Sequence, residues 1–297
     1  MPALSRRKSS GDIAFDVLNY SLLIGLTLMI LYPLYFILIA SFSDPNRVNA
    51  GDVWLIPQGI TFEGYLRIFR DGSIWIGYRN SLLYAALTAL IGTTLAIMAA
   101  YPLSRRDFLG RNAFMIFFAV TLFFNGGLIP TYLLVKNLHL MDTIWAVVLV
   151  SAVDAFVIII ARTFFQGLPE EIREAAVVDG CTNMRYVLSF VLPLSKPIIA
   201  VLVLFAVVRQ WNGFFDALIY LNDSEKYPLQ LILRNILIEN QPSGNLVDDI
   251  QTAMEKQRIV GLIKYGVIIV AALPLLILYP FLQRYFVKGV FIGSVKG

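Results

Sequence analysis

Six apolar runs with no charge or almost none, at about 17–42, 80–103, 112–135, 143–161, 197–221 and 265–283, decide most of what this chain can become. Each is close to or above the roughly 20 residues that an α-helix needs to cross a hydrocarbon layer. Composition rules out a soluble core, since 15% of the 297 residues are charged where a soluble domain carries about 25%. A transmembrane barrel would need strands of about ten residues alternating apolar with polar, and these runs are continuously apolar. The predicted fold class is therefore all-α, a polytopic membrane protein with six transmembrane helices.

The runs divide the chain into a lead over 1–16, a six-helix domain over 17–283 and a tail over 284–297. Arg6, Arg7 and Lys8 precede the first run, which is too long for a signal peptide and has no small-x-small cleavage site, so it reads as an uncleaved first span. Assigning sides by alternation places thirteen Lys and Arg on the N-terminal side and nine on the other. Arg105, Arg106 and Arg111 crowd one short loop, whereas eight of the nine are spread over the long external loops 43–79 and 222–260, Lys136 being the ninth. By the positive-inside rule both termini are expected in the cytoplasm. Orientation and lipid headgroup contact also account for the isoelectric point of about 9.1, with no need for a nucleic-acid partner.

Several chemistries are excluded at once. Cys181 has no intrachain disulfide partner, and one Cys with one His, His139, gives neither a zinc site nor a nucleophile-base pair. No G-x-x-x-x-G-K-[ST] loop occurs, so the chain is not expected to cradle ATP itself. No metal site, no cofactor and no catalytic residue is predicted.

Between the fourth and fifth runs lies a polar module, residues 164–196, in which Pro169 followed by Glu170 and Glu171 signals a helix start. Gly180 is expected to end that helix, because glycine takes the left-handed conformation cheaply. A second helix, about 181–190, is predicted to stop before Leu192 and Pro193. Two short helices at an angle make a knob, with Ala175 and Ala176 as a low-relief face and Glu174 as a charge for a basic partner.

The spacing within this module, Glu174-Ala175-Ala176, three residues, Gly180, nine residues, then Phe190-Val191-Leu192-Pro193, resembles the EAA loop of permease subunits of bacterial ATP-binding-cassette importers. Phe190 stands where that pattern prefers Ile. The likeness extends to AAYPLSRRDFLGRN at 99–112, WNGFFDALIYL at 211–221 and the tail YPFLQRYFVKGVFIGSVKG at 279–297. It is closest to the maltose-type group, and within that to permeases of complex sugars such as the alginate importer. The resemblance implies a transmembrane subunit forming half of a pathway for a sugar or oligosaccharide, including an acidic one. It also implies a second homologous permease, two copies of a cytoplasmic ATPase that bind ATP and Mg, and an extracytoplasmic solute-binding protein. On the same ground the ATPase-coupling residues are Glu174, Ala175, Ala176, Asp179, Gly180 and Pro193, and the tail is placed against the ATPase pair.

Ionisable groups inside spans are costly and face protein or water; here they are Asp154, Arg209 and Asp216. Asn212 and Asp216, four apart, are expected on one helix face beside Trp211 and Phe215, a combination suited to gripping a sugar. The competing reading is packing, with Asp154 paired to Arg209 across the bundle. The alternative function, an ion-coupled secondary carrier, would give the intramembrane acids a coupling role but has no use for an organised cytoplasmic knob.

Overall fold

The computed structural model describes residues 9–239 and 250–293, with backbone alone for 239, 250–257 and 281–293. The lead before residue 9, residues 240–249 of the external loop 222–260, where Asn240–Asn245 reads as a turn, and the end of the tail, Ser294–Gly297, lie outside the described residues. Every regular element among those described is helical. Three helices are long and apolar enough to cross a membrane, Ser10–Ser41, Gly72–Ser104 and Arg258–Pro280. Three bent pairs bring the count of candidate spans to six.

The expected six spans are thus present, three of them as bent helix pairs. Arg111–Phe123 and Leu128–Asn137 meet at 111°, because Asn125-Gly126-Gly127 intervenes. Gly127 has φ +88° and donates its N–H to Asn125 Oδ1 at 2.9 Å, a backbone that side chains resist. Ile144–Ala152 and Ala155–Gln166 bend by 47° where Asp154 caps the second helix, accepting the Phe156 N–H at 2.8 Å. Asn183–Leu194 and Lys196–Asn212 bend by 83°.

The chain forms two compact units. One comprises the chain to Arg70 with Leu237–Val270. In it Gly64 lies so close to the Leu262 carbonyl that an added Cβ would stand 2.3 Å from that oxygen. Phe42 stacks on Tyr65 at 5.1 Å, Tyr65 donates to Ser41 Oγ at 2.9 Å, and Phe36 meets Tyr265 edge-on. The helix Ser10–Ser41 is apolar and exposed along most of its length, as suits a lipid-facing span.

The other unit comprises Asp71–Ile236 and the chain from Ala271. The second span, Gly72–Ser104, is its axis. It presents small residues, Gly77, Ser81, Ala85, Ala89, Gly92, Ala96 and Ala100, at the near-helical spacing that lets neighbouring backbones approach. Against it pack Ala155–Gln166 and Lys196–Asn212. Buried Gln210 accepts through its side-chain oxygen from Ser151 Oγ at 2.6 Å and Thr88 Oγ1 at 3.3 Å, so three helices share one amide oxygen in the apolar interior. At the far end Asp142 accepts the backbone N–H groups of Asp223 and Asn222 at 3.1 Å each and pairs with Lys226 at 3.2 Å. Those contacts hold its carboxyl below the usual range, the Asp223 N–H contributing most.

Candidate functional site: the knob between the fourth and fifth spans

The knob's first helix is Glu170–Val178, with Pro169 just ahead of it and both leading carboxylates at the positive end of the helix dipole. It ends as the glycine spacing requires. Gly180 has φ +72° and donates its N–H to Val177 O at 3.0 Å, while Cys181 N–H reaches back to Ala176 O at 2.9 Å. This pair of bonds is a Schellman closure and satisfies two of the last carbonyls of the helix. Thr182 then caps the next helix, its hydroxyl accepting from Arg185 N–H.

The second helix overruns its predicted end at 190. It begins at Asn183, widens into a π-helical turn over Val187–Val191 and continues through Leu192–Leu194. Pro193, placed in the first turn of that last piece, has no N–H to lose there, so it does not stop the helix. The chain turns only at Ser195, into the fifth span. Phe190 stacks on Tyr186 at 5.6 Å, which gives the aromatic at this position a packing partner.

Burial separates the coupling residues into two groups. Ala176 is buried in the unit's own core with Tyr186 and Val191, against Ala96, Ala100 and Leu103 of the second span and Val157, Ile158, Ala161 and Phe165 of the fourth. It therefore corrects the expectation of an outward face made by both alanines. Glu174, Ala175, Asp179, Gly180 and Pro193 are all exposed. Val177 and Val178 are 57% and 86% exposed beside them, an apolar pair flanked by carboxylates that the spacing alone did not single out.

Polar contacts brace the knob from the loop that follows the second span. Asp107 takes Arg105 through both carboxylate oxygens and Arg173 of the knob at 3.1 Å. Arg105 also donates to Asn183 Oδ1 at 2.7 Å. Neither Asp107 nor Asn183 was singled out by sequence reasoning. The one available signal was an acid standing alone among Arg105, Arg106 and Arg111.

The intramembrane candidates are dispersed rather than gathered. The fifth span ends at Asn212, with Gly213 extended, and a new helix begins at Phe215, so Asn212 and Asp216 do not share one helix face as expected. Trp211 is 2% exposed, donates Nε1–H to Ala271 O at 2.9 Å and lies 6.0 Å from Tyr78, which makes it a packing residue. Asn212 donates back to Val208 O at 2.8 Å. Phe215 is exposed and Asp216 partly so. Asp154 and Arg209 do pair, and Arg209 also donates to Ser151 O, so the arginine bridges the break in the fourth span. Two of the three intramembrane charges, Asp154 and Arg209, are thus accounted for by one contact, which leaves Asp216 as the one acid the carrier reading could still use.

Known proteins match this architecture along nearly its whole length. A family profile described as binding-protein-dependent transport system inner membrane component matches residues 92–292. The polygalacturonan/rhamnogalacturonan transport system permease protein YtcP of Bacillus subtilis is 39% identical over 287 residues, covering 95% of this chain and 98% of that one. The arabinooligosaccharides transport system permease protein AraQ of Halalkalibacterium halodurans is 28% identical over 300 residues, covering 98% and 100%. Among solved structures, a chain of a bacterial ABC transporter involved in the import of the acidic polysaccharide alginate superposes with a TM-score of 0.81 at 30% identity, covering 95% of this chain and 100% of that chain.

Proposed function

Because the chain belongs to the family of inner membrane components of binding-protein-dependent transport systems, we propose that it forms one half of the pathway of an ATP-driven importer for oligosaccharides rich in uronic acid. A second, homologous permease would complete the pathway, two copies of a cytoplasmic ATPase would bind ATP and Mg, and a solute-binding protein would deliver the sugar. The observation that carries the reading is the knob's outward edge. Glu174, Val177, Val178, Asp179 and Gly180 are exposed on a turn whose inner side is anchored in the core. Such an edge gives a partner groove an apolar contact with charges on its rim. The uronic acid content is supported by the relatives that import polygalacturonan and alginate. Within the membrane, Phe215 and Asp216, with Asn212 before the Gly213 break, are the residues of this chain proposed to face the pathway.

Deleting the chain from its source cells is expected to reduce uptake of labelled oligogalacturonides to background. Unchanged uptake would refute the substrate class. Orientation is tested separately, both termini and the knob being proposed as cytoplasmic. Cys181 is the single cysteine and partly exposed, so a membrane-impermeant maleimide should label it in inside-out vesicles and not in intact cells; the reverse pattern would invert the topology.

A further inference from the structure

The loop after the second span is more than a connector. Arg105 is the first residue beyond the helix Gly72–Ser104, and its guanidinium meets the Asp107 carboxylate through two nitrogens, Nε at 2.8 Å and Nη2. The second Asp107 oxygen also accepts from Arg173 on the knob's first helix, at 3.1 Å. The remaining Arg105 nitrogen, Nη1, reaches Asn183 at the start of the knob's second helix, at 2.7 Å. One carboxylate and one guanidinium therefore tie both knob helices to the end of one membrane span. The fourth span joins the same junction, since Arg162 Nε donates to Leu103 O at 3.1 Å.

Two observations show why these contacts matter. A cleft of about 510 Å³ opens beside them, lined by Tyr101, Arg105, Glu171 and Arg173 among others. Arg173 Nε, moreover, is buried without a hydrogen-bond partner, so Arg173 is held to this loop through its Nη2 bond to Asp107. Bidentate guanidinium-carboxylate geometry resists rotation as well as separation, which suits a part that must transmit direction.

We propose that Asp107 is a positioning residue for transport: it locks the knob and the end of the second span into one body, so that movement of the docked ATPase is passed to the membrane helix. The inference rests on reading the knob as the ATPase dock. It is not a pH switch. The Arg105 hydrogen bonds, with Arg173 adding to them, hold the Asp107 carboxyl well below the usual carboxylate range. A carboxylate depressed in the folded state keeps its contribution above the unfolded value and loses it only as pH falls through the folded one, in strong acid.

The test uses the assembled importer in nanodiscs, with nitroxides on Cys181 and on a cysteine at Leu109, which is 92% exposed. Pulsed EPR is expected to give one narrow distance distribution in the nucleotide-free complex and the same one after trapping with ATP and orthovanadate. Asp107→Asn should lose that narrow distribution and lose oligogalacturonide uptake while ATP hydrolysis persists, and Asp107→Glu should recover both. An unchanged distribution in Asp107→Asn, a mean that shifts on trapping in the unsubstituted pair, or failure of Asp107→Asn to assemble would each overturn the proposal. Failure of the docking reading is separate: it would appear as a Glu174→Lys complex that keeps its ATPase subunits, whatever the distances report.

Discussion

Glu174→Lys is expected to abolish ATP-driven uptake and to strip the ATPase subunit from the purified complex, while the chain still inserts in the membrane. Glu174 is exposed and, among the described residues, makes no ion pair within the chain, so its replacement removes nothing that holds this fold together. The penalty falls on the interface alone. A lysine facing a basic groove residue sets two like charges against each other at a contact that excludes water, which costs several kcal/mol, on the order of a hundredfold or more in affinity. Glu171→Lys is the matched comparison. That residue lines the cleft it shares with Tyr101 and Arg105 at the end of the second span, and its reversal is expected to leave co-purification intact. Pull-down and uptake measured on both variants decide the matter, and normal transport by the Glu174→Lys protein would refute the coupling role.

What the chain reveals before it is folded, and what it withholds, follows from the range of the interactions involved. The spans are visible because burying backbone in hydrocarbon demands about twenty consecutive apolar residues, a property of a single segment. The knob is visible for a similar reason, since Pro169, Gly180 and the carboxylates between them act on backbone within a few residues of themselves. The same locality explains the errors. Asn125-Gly126-Gly127 and Gly213 sit in runs apolar enough to pass as continuous helix, yet each carries a turn signal that hydropathy alone does not register. Pro193 misled in the opposite direction, being read as a stop when its place in the first turn of the last helical piece made it harmless.

Pairs separated by tens of residues were the least accessible. Arg105 with Asn183, Arg173 with Asp107, and Gln210 with Ser151 and Thr88 arise from which helices become neighbours, and no spacing rule specifies that. Arg209 with Asp154 was anticipated only as an option, because two lone opposite charges in a membrane have few other partners. Ala176 shows the limit within a motif: the sequence marks both alanines alike, and only packing decides which one faces inward.

Gly92→Ala is expected to produce the largest loss of stability of any single-methyl change in the second span. An alanine is ordinarily the better residue inside a helix by about 1 kcal/mol, so the intrinsic effect favours the variant. Position decides against it. A Cβ at Gly92 would stand 2.5 Å from the carbonyl oxygen of Ala152, a backbone atom that has no rotamer to escape by. Relieving the overlap means moving one helix from the other, and overpacking of this kind costs about 1–3 kcal/mol, enough to outweigh the propensity gain. The displaced element is the end of Ile144–Ala152, one residue from Ser151, whose carbonyl accepts from Arg209 and whose hydroxyl donates to Gln210. A shift there loosens the bridge across the broken fourth span as well as the contact itself. Gly25→Ala is the control, because nothing lies within 4 Å of its added methyl, and the propensity gain should appear there undiminished. Thermal unfolding of the detergent-solubilised variants should therefore place Gly92→Ala below the parent and Gly25→Ala at or above it. Equal melting of the two would mean that the second span does not rest against the Ala152 carbonyl as closely as the helix packing requires.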